Sequence, residues 1–251
     1  MGVAERVESE SVVDLVFAVD GSGSICDPDP SRWKYSSGCD NWEQIINFIT
    51  EFVTVMEPSE TGTHVGLVSF STEGRLLAGL SWYYSADSMN EYIKGNLTYP
   101  GGDTNTTGGL EMTKDKVIGQ AGDRETVRNV VVVITDGFPT FPKPNPRQRA
   151  LDMANLLKEK ADVFAVGVTS DIDDSFLSDI SSGGVKDVNW FHISNFEGLK
   201  EIIDPVVQQG SRLSIFLLIK GRENWLKIDF ESLFDAPKMI PMPGPHKEYH
   251  P

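Results

Sequence analysis

The sequence predicts an α/β fold: a doubly wound, mostly parallel, Rossmann-like sheet with one antiparallel edge strand and helices on both faces. Short β-branched runs alternate with amphipathic helical segments, and this alternation requires crossover connections between parallel strands. The run from Asn129 to Thr135 is the most apolar and is therefore expected at the centre of the sheet. Polar residues of the Asp, Ser, Thr and Gly types follow several predicted strands, as at the ligand-binding edge of an open sheet.

The strands are predicted from short runs of β-branched and other apolar residues. The run from Val12 to Val19 ends at a Gly/Ser turn and is typical of a buried strand. A short turn containing Gly74 joins two further runs and predicts the antiparallel pair. The predicted strands, in chain order, are 12–19, 64–70, 75–80, 129–135, 163–168 and 190–193.

The helices are predicted from apolar residues that recur at three- and four-residue spacing. The first long helix begins at the N-cap candidates Asp40 and Asn41 and ends before Pro58. The last helix closes the domain with an apolar face that begins at Phe196. The predicted helices, in chain order, are 40–57, 86–94, 107–118, 147–160, 174–180 and 196–207.

The domain organisation follows from where this alternation starts and stops. We expect one domain over residues 11–210, preceded by an N-terminal extension at 1–10. Residues 211–236 contain two short apolar runs and predict a small β segment of unknown role. Residues 237–251 contain five prolines and no periodicity, so we expect a disordered tail.

The charge and the apolar runs exclude several classes of function. A net charge of −15 disfavours nucleic-acid binding, which requires a basic face, and also disfavours docking on anionic membranes. The longest aliphatic runs, 130–134 and 215–219, are much shorter than the ~20 residues of a membrane-spanning helix. Residues 1–10 lack the apolar core of a signal peptide, so either a signal has been removed or the protein is cytosolic.

Oxygen-bearing side chains lie on three loops that the predicted topology places at one edge of the sheet. Asp20, Ser22 and Ser24 follow the first strand, Thr104 precedes a helix, and Asp136 follows the central strand. Together they can surround one hard cation, and Mg²⁺ prefers such oxygen ligands and retains waters. With only two formal charges, the set leaves the metal able to accept a further carboxylate. The alternative is that these side chains hold the loops together without metal.

Three segments resemble the von Willebrand factor type A domain, which is the inserted domain of integrins. The segment DLVFAVDGSGSI at 14–25 is similar to the first strand of the family and its Asp-x-Ser-x-Ser signature. GGDTNTTGGL at 101–110 is similar to the second loop, and VVITDG at 132–137 is similar to the third. The likeness covers about residues 11–210 and implies a metal-ion-dependent adhesion site.

The resemblance also implies which residues hold the cation. It assigns Ser22, Ser24 and Thr104 as direct ligands of Mg²⁺, with Mn²⁺ or Ca²⁺ as alternatives. Asp20 and Asp136 are expected near the metal, either directly or through water. An acidic residue of a partner then completes the coordination.

An insertion beside this site departs from the compact first loop of the family. It contains Cys26, Trp33, Tyr35 and Cys39. The two cysteines can form a disulfide that closes a local loop, which would indicate an oxidising, extracellular compartment; the alternative is a reduced pair. Two cysteines without nearby histidines make a poor zinc site. The aromatic residues predict a rim that contacts partners, or else a tethered surface loop.

A second rim is predicted in the proline-rich segment 138–146. Its prolines would hold Phe138 and Phe141 as apolar contacts at low entropic cost. Asp103 adds an acidic residue to the same rim.

Enzyme functions are disfavoured by the pattern around the first loop. A haloacid-dehalogenase-like phosphatase needs a second Asp where Ser22 stands, and a hydrolase elbow needs Gly-x-Ser-x-Gly. We therefore predict a non-enzymatic, extracellular module of the adhesion or matrix type. Its expected partner is a protein with an exposed acidic residue, such as a matrix or cell-surface protein. The alternative is an intracellular scaffold domain in a larger assembly, with a structural metal or none.

Overall fold

The computed structural model describes residues 12–26, 39–169, 172–203 and 205. The strands are β1 (Val13–Asp20), β2 (His64–Phe70), β3 (Gly74–Ala78), β4 (Arg128–Thr135), β5 (Asp162–Val168) and β6 (Trp190–Ile193). The helices are α1 (Gly23–Cys26), α2 (Asp40–Met56), α3 (Ala86–Asn96), α4 (Thr106–Lys116), α5 (Pro146–Lys158), α6 (Asp174–Ile180) and a final 3₁₀ helix (Phe196–Ile202).

These strands form one sheet in the order β3-β2-β1-β4-β5-β6. All neighbours pair in parallel except β2 and β3, which are antiparallel and place β3 at the edge. The predicted α/β fold is therefore confirmed, including its antiparallel edge strand. Because five strands are parallel, their carboxyl ends all lie at the same edge of the sheet.

Two apolar layers cover the sheet, because alternate residues of each strand point to opposite faces. Phe17 and its neighbours at alternate positions in β1 pack against α2, α3 and the 3₁₀ helix, and the Phe17 ring lies 5.3 Å from that of Phe52. Val16 and Ala18 face the other way, toward α4, α5 and α6. Every residue of β1 is buried, both its apolar run 15–19 and the two aspartates Asp14 and Asp20 on either side of that run. Each large side chain buried here contributes about 1.5–3 kcal/mol.

The amino end of the sheet contains a buried ion pair. Asp14 is fully buried at the start of β1, where its Oδ1 accepts hydrogen bonds from Nε (3.0 Å) and Nη2 (2.5 Å) of Arg124. The backbone N–H of Arg124 donates to Asp14 Oδ2 at 2.9 Å, and its Nη1 donates to the carbonyl oxygen of Gly62 at 2.8 Å. A buried carboxylate is stable only with such partners.

Two local elements differ from the sequence predictions. The closing helix, predicted over 196–207, has 3₁₀ geometry over Phe196–Ile202. The single turn α1 was predicted as loop, because four residues are too few to show helical periodicity. The predictions for residues 1–10, 211–236 and 237–251 fall outside the described residues. Within the part of the chain that is described, no helix combines the length and the apolar character needed to cross a membrane.

Candidate metal centre

The central pair of strands brings the first two acidic residues of the site together. β1 and β4 pair in parallel with Val19 opposite Ile134, so the next residues along, Asp20 and Thr135, are neighbours at the carboxyl edge. The hydroxyl of Thr135 donates to Asp20 Oδ2 at 2.6 Å. Asp136 follows directly at the end of β4. The register of one strand pair therefore places two carboxylates at the same point of the sheet.

Hydrogen bonds connect four of the five predicted metal ligands into one chain. Asp20 Oδ1 accepts from the backbone N–H of Ser22 at 2.9 Å. The hydroxyl oxygens of Ser22 and Ser24 lie 3.2 Å apart, and the Ser24 hydroxyl donates to Asp136 Oδ1 at 2.8 Å. Residues 112 positions apart in the sequence thus meet through one short bond.

The fifth predicted ligand, Thr104, is held by the proline-rich segment. Its backbone N–H donates to the hydroxyl of Thr140 at 2.9 Å, and its carbonyl oxygen accepts from the N–H groups of Thr140 (2.9 Å) and Phe141 (3.3 Å). Thr104 is only 5% exposed. Asn105, the next residue, caps α4 by accepting from the N–H of Gly108 at 2.8 Å, which fixes where the helix begins.

The first and second loops are joined to each other through backbone groups. The N–H of Gly23 donates to the carbonyl oxygen of Gly102 at 2.9 Å. The Tyr99 hydroxyl donates to the carbonyl oxygens of Ser22 (2.9 Å) and Gly23 (3.2 Å). Gly102 has a φ of +102°, a conformation that side-chain-bearing residues rarely adopt. Hydrogen bonds between protein groups therefore join the two loops directly.

Burial controls the electrostatics of the site. Asp20 is fully buried and Asp136 is 3% exposed. Burial raises the pKa of Asp20 to about 6, and the hydrogen bonds from Thr135 and Ser22 act in the opposite direction. These partners of Asp20 are uncharged, so the ionised carboxylate lacks a charge of opposite sign among them. A cation at this edge would supply it.

The donor set fits a hard divalent cation. All five side chains offer oxygen, which suits Mg²⁺ and related ions rather than metals that prefer thiolate or imidazole. Among the described residues, no group of three or more His, Cys, Asp or Glu side chains is placed to hold a metal. Serine and threonine hydroxyls would therefore complete any site here. Ser24 is half-buried, so the oxygen cluster reaches the surface.

The structure also places the predicted rims. Phe138 and Phe141 are 37% and 38% exposed, and Asp103 is exposed on the second loop. Trp33 and Tyr35 lie outside the described residues. The proline-rich segment thus presents aromatic surface directly beside Thr104.

Cys26 and Cys39 form a disulfide that links the first loop covalently to the start of the first long helix. Cys26 ends α1, the turn that carries Ser24, and Cys39 precedes α2. The sulfur of Cys39 also accepts the N–H of Trp42 at 3.4 Å and so acts as the N-cap of α2.

Three residues that position the site were not identified from the sequence: Tyr99, Thr135 and Thr140. Each acts through a hydroxyl that bonds a neighbouring loop or ligand. Thr135 carried a usable signal, since it is a polar residue ending a run of five apolar ones. Tyr99 and Thr140 carried none, because their partners are distant backbone groups.

Comparisons with known protein sequences all point to the same family. The sequence profile of the von Willebrand factor type A domain matches residues 14–205. The transmembrane cell adhesion receptor mua-3 of Caenorhabditis elegans is 26% identical over 202 residues, covering 79% of this chain and 5% of that protein. Cochlin of Bos taurus is 25% identical over 197 residues, covering 78% and 32%. The collagen alpha-4(VI) chain of Mus musculus is 27% identical over 239 residues, covering 92% and 9%. This chain thus spans less than a third of the length of each of these relatives.

Solved structures agree with the family and with the type of site. Proximal thread matrix protein 1 from the mussel byssus is 26% identical with a TM-score of 0.66, covering 80% of this chain and 46% of that chain. A structure of the same protein with a zinc-occupied MIDAS motif is 27% identical, with a TM-score of 0.65 and coverage of 79% and 46%. MIDAS stands for metal-ion-dependent adhesion site. A similar structure therefore carries a divalent metal in a motif of this type.

Proposed function

Because the chain belongs to the von Willebrand factor type A family, we propose that it is a Mg²⁺-dependent protein-binding module of the adhesion or extracellular-matrix type. The metal is held among Asp20, Ser22, Ser24, Thr104 and Asp136. An acidic residue of a protein partner completes its coordination. The observation that carries this proposal is the convergence of these oxygens at one edge of the sheet, where hydrogen bonds link four of the five residues.

The charges of the ligands explain how such a site would bind a partner. Hydroxyl ligands are neutral, so only the two carboxylates offset the charge of the cation. When bound, Mg²⁺ supplies an electrophilic position for a carboxylate oxygen. The hydroxyl of Thr135 and the N–H of Ser22 hold the Asp20 carboxylate in one orientation. The side chains are thereby assigned to binding rather than to catalysis.

The compartment and the partner class are part of the same proposal. A disulfide between Cys26 and Cys39 is typical of oxidising compartments and favours an extracellular location over the intracellular scaffold alternative. The names of the relatives, a cell adhesion receptor and a collagen chain, support a partner of the matrix or cell-surface type. The exposed rings of Phe138 and Phe141 would add apolar contact beside the metal-bound carboxylate.

Isothermal titration calorimetry with Mg²⁺ tests the metal site. We expect Ser24→Ala and Thr104→Ala each to weaken binding at least about tenfold, as the loss of residues in or around metal sites generally does. Asp115→Asn is the matched control, since it removes an exposed carboxylate in the last turn of α4, at the other end of that helix from Thr104, and should leave the affinity unchanged. Equal heats for wild type and Ser24→Ala would contradict the proposed ligand set.

A pull-down tests the adhesion function separately. The immobilised protein is incubated with a matrix extract in Mg²⁺ and then washed with EDTA. Partners released by EDTA from the wild type, and not captured by Thr104→Ala, would support metal-dependent binding. A set of partners that is the same with and without metal would contradict it.

A further inference from the structure

A cationic segment lies directly beside the candidate metal centre. Residues 137–151 contain three basic side chains and no acidic one, in a chain whose net charge is −15. The segment starts after Asp136, and the N–H groups of Thr140 and Phe141 bond the carbonyl oxygen of Thr104. Its position next to two predicted metal ligands means that its charge acts on whatever reaches the metal.

Two of the three cations are available for a partner. Arg147 is engaged within the fold: its Nη1 lies 3.3 Å from Asp173 Oδ2, and its guanidinium lies 5.3 Å from the ring centre of Phe138. Lys143 and Arg149 are exposed, and neither forms an ion pair with any other residue that the structure describes. The Nε of Arg149 donates to the carbonyl oxygen of Pro144 at 3.0 Å, which ties α5 to the segment.

Building on the proposed function, we propose that Lys143 and Arg149 bind a second acidic residue of the partner. The ligand is then an acidic peptide segment in which two carboxylates flank an apolar residue. One carboxylate reaches the metal, the second reaches the cationic segment, and the apolar residue contacts the exposed rings of Phe138 and Phe141.

The dimensions of the segment set the spacing of the two carboxylates. Lys143 is two residues beyond Phe141, so their Cα atoms are no more than about 7 Å apart. An extended peptide advances about 3.3 Å per residue, so a second acidic residue about two to four positions from the first falls within reach of the lysine side chain.

The charges on the opposite side fix the direction of the peptide. Glu73 and Asp103 are both exposed there, and the N–H of Asp103 donates to the hydroxyl of Thr72 at 3.2 Å, which joins their two loops. These carboxylates repel an acidic ligand, whereas Lys143 and Arg149 attract it. The second acidic residue is therefore directed toward the proline-rich segment.

A peptide selection tests this inference. Random peptides of about twelve residues, long enough to span both contacts at ~3.3 Å per residue, are displayed on phage and bound in Mg²⁺. They are then eluted with EDTA from wild type, K143Q/R149Q and the matched control K116Q/K160Q. The control removes two exposed lysines at the opposite edge of the sheet: Lys116 is the last residue of α4, and Lys160 lies two residues beyond the end of α5.

We expect wild type and K116Q/K160Q to enrich peptides with two acidic residues at the stated spacing, and K143Q/R149Q to enrich peptides with one. A two-acid peptide should bind K143Q/R149Q about 2- to 30-fold more weakly than wild type, as expected for the loss of two exposed ion pairs. Mg²⁺ affinity should not fall in that variant, because removing two positive charges does not weaken the binding of a cation, and this separates a lost contact from a damaged site.

Two further outcomes distinguish this inference from the function on which it rests. If EDTA elutes peptides with a single acidic residue from wild type, or two-acid peptides equally from K143Q/R149Q, the second contact is refuted and metal-dependent binding stands. If EDTA elutes no enriched peptide from wild type, metal-dependent binding itself is refuted, and the second contact with it.

Discussion

Removal of the disulfide between Cys26 and Cys39 should destabilise the domain by an amount that follows from its loop length. The two cysteines are 13 positions apart. Closing a loop of this size removes enough entropy from the unfolded chain to stabilise the fold by about 3 kcal/mol in the chain-entropy account. For a domain of this size, 1 kcal/mol corresponds to about 2–4 °C in Tm, so the expected loss is about 6–12 °C.

The variant must preserve the second role of Cys39, whose sulfur caps α2. We therefore choose C26A/C39S, because serine is a good N-cap and alanine there would cost about 1 kcal/mol more. Unfolding is followed by circular dichroism in EDTA, so that bound metal contributes nothing to the Tm. Wild type treated with a reductant should show a similar loss, and C26A/C39S should not respond to the reductant.

One result would refute this reasoning. If C26A/C39S melts within about 2 °C of wild type, the effect is below 1 kcal/mol and the cross-link does not constrain the unfolded chain as the loop length requires. A loss in C26A/C39S that the reductant does not reproduce in wild type would point instead to side-chain packing at these two positions.

Three other measurements follow from buried or exposed polar groups. The pKa of Asp20 is raised to about 6, from an unfolded value of 3.8. The metal-free fold therefore becomes more stable as the pH falls from 7 toward 5. Over the same range, protons compete with Mg²⁺ for the Asp20 carboxylate. Calorimetry should show the Mg²⁺ Kd rising by up to about tenfold per pH unit below pH 6, and a flat profile between pH 5 and pH 7 would contradict this. Arg124→Met leaves Asp14 buried without its charged partner and should lower the free energy of urea unfolding by about 3–5 kcal/mol, of which the added change Asp14→Asn should recover part. When the chain is expressed in a glycosylating secretory host, we expect an N-glycan on Asn96, which is exposed, and none on Asn105, which is buried as a helix cap. Peptide mass mapping would show which of the two is modified. A glycan on Asn105 would be inconsistent with the fold.

Much of the fold was predictable because its strands have unambiguous sequences. β2, α6 and β6 begin and end at the predicted residues, β4 begins one residue earlier than predicted, and β1 is shifted by one residue at both ends. Continuous apolar runs identify buried parallel strands whatever surrounds them. The final helix differs because apolar spacing does not distinguish 3₁₀ from α geometry over only two turns.

The residue types of the candidate site were predictable from the sequence, but the residues that hold its loops in place were less so. The three ligand-bearing loops were recognised because each follows or precedes a clear element at one edge of the sheet. The bond from Tyr99 to the carbonyl oxygen of Ser22 spans 77 positions, and no periodicity or motif links two such residues. The availability of Lys143 and the engagement of Arg147 were equally hidden, because pairing depends on which carboxylates tertiary structure brings near.

The backbone bond between Gly23 and Gly102 has a calorimetric consequence. Ordering one residue of backbone costs about 1–2 kcal/mol, and here that cost is incurred when the chain folds rather than when a cation arrives. A cation that enters pre-ordered oxygens buries little apolar surface, so its binding should change the heat capacity by close to zero. A negative heat-capacity change on adding a partner would then belong to the partner's contact with the exposed rings of Phe138 and Phe141. The temperature dependence of the binding enthalpy can thus resolve ion capture from surface recognition, two events that occur at the same edge of the sheet.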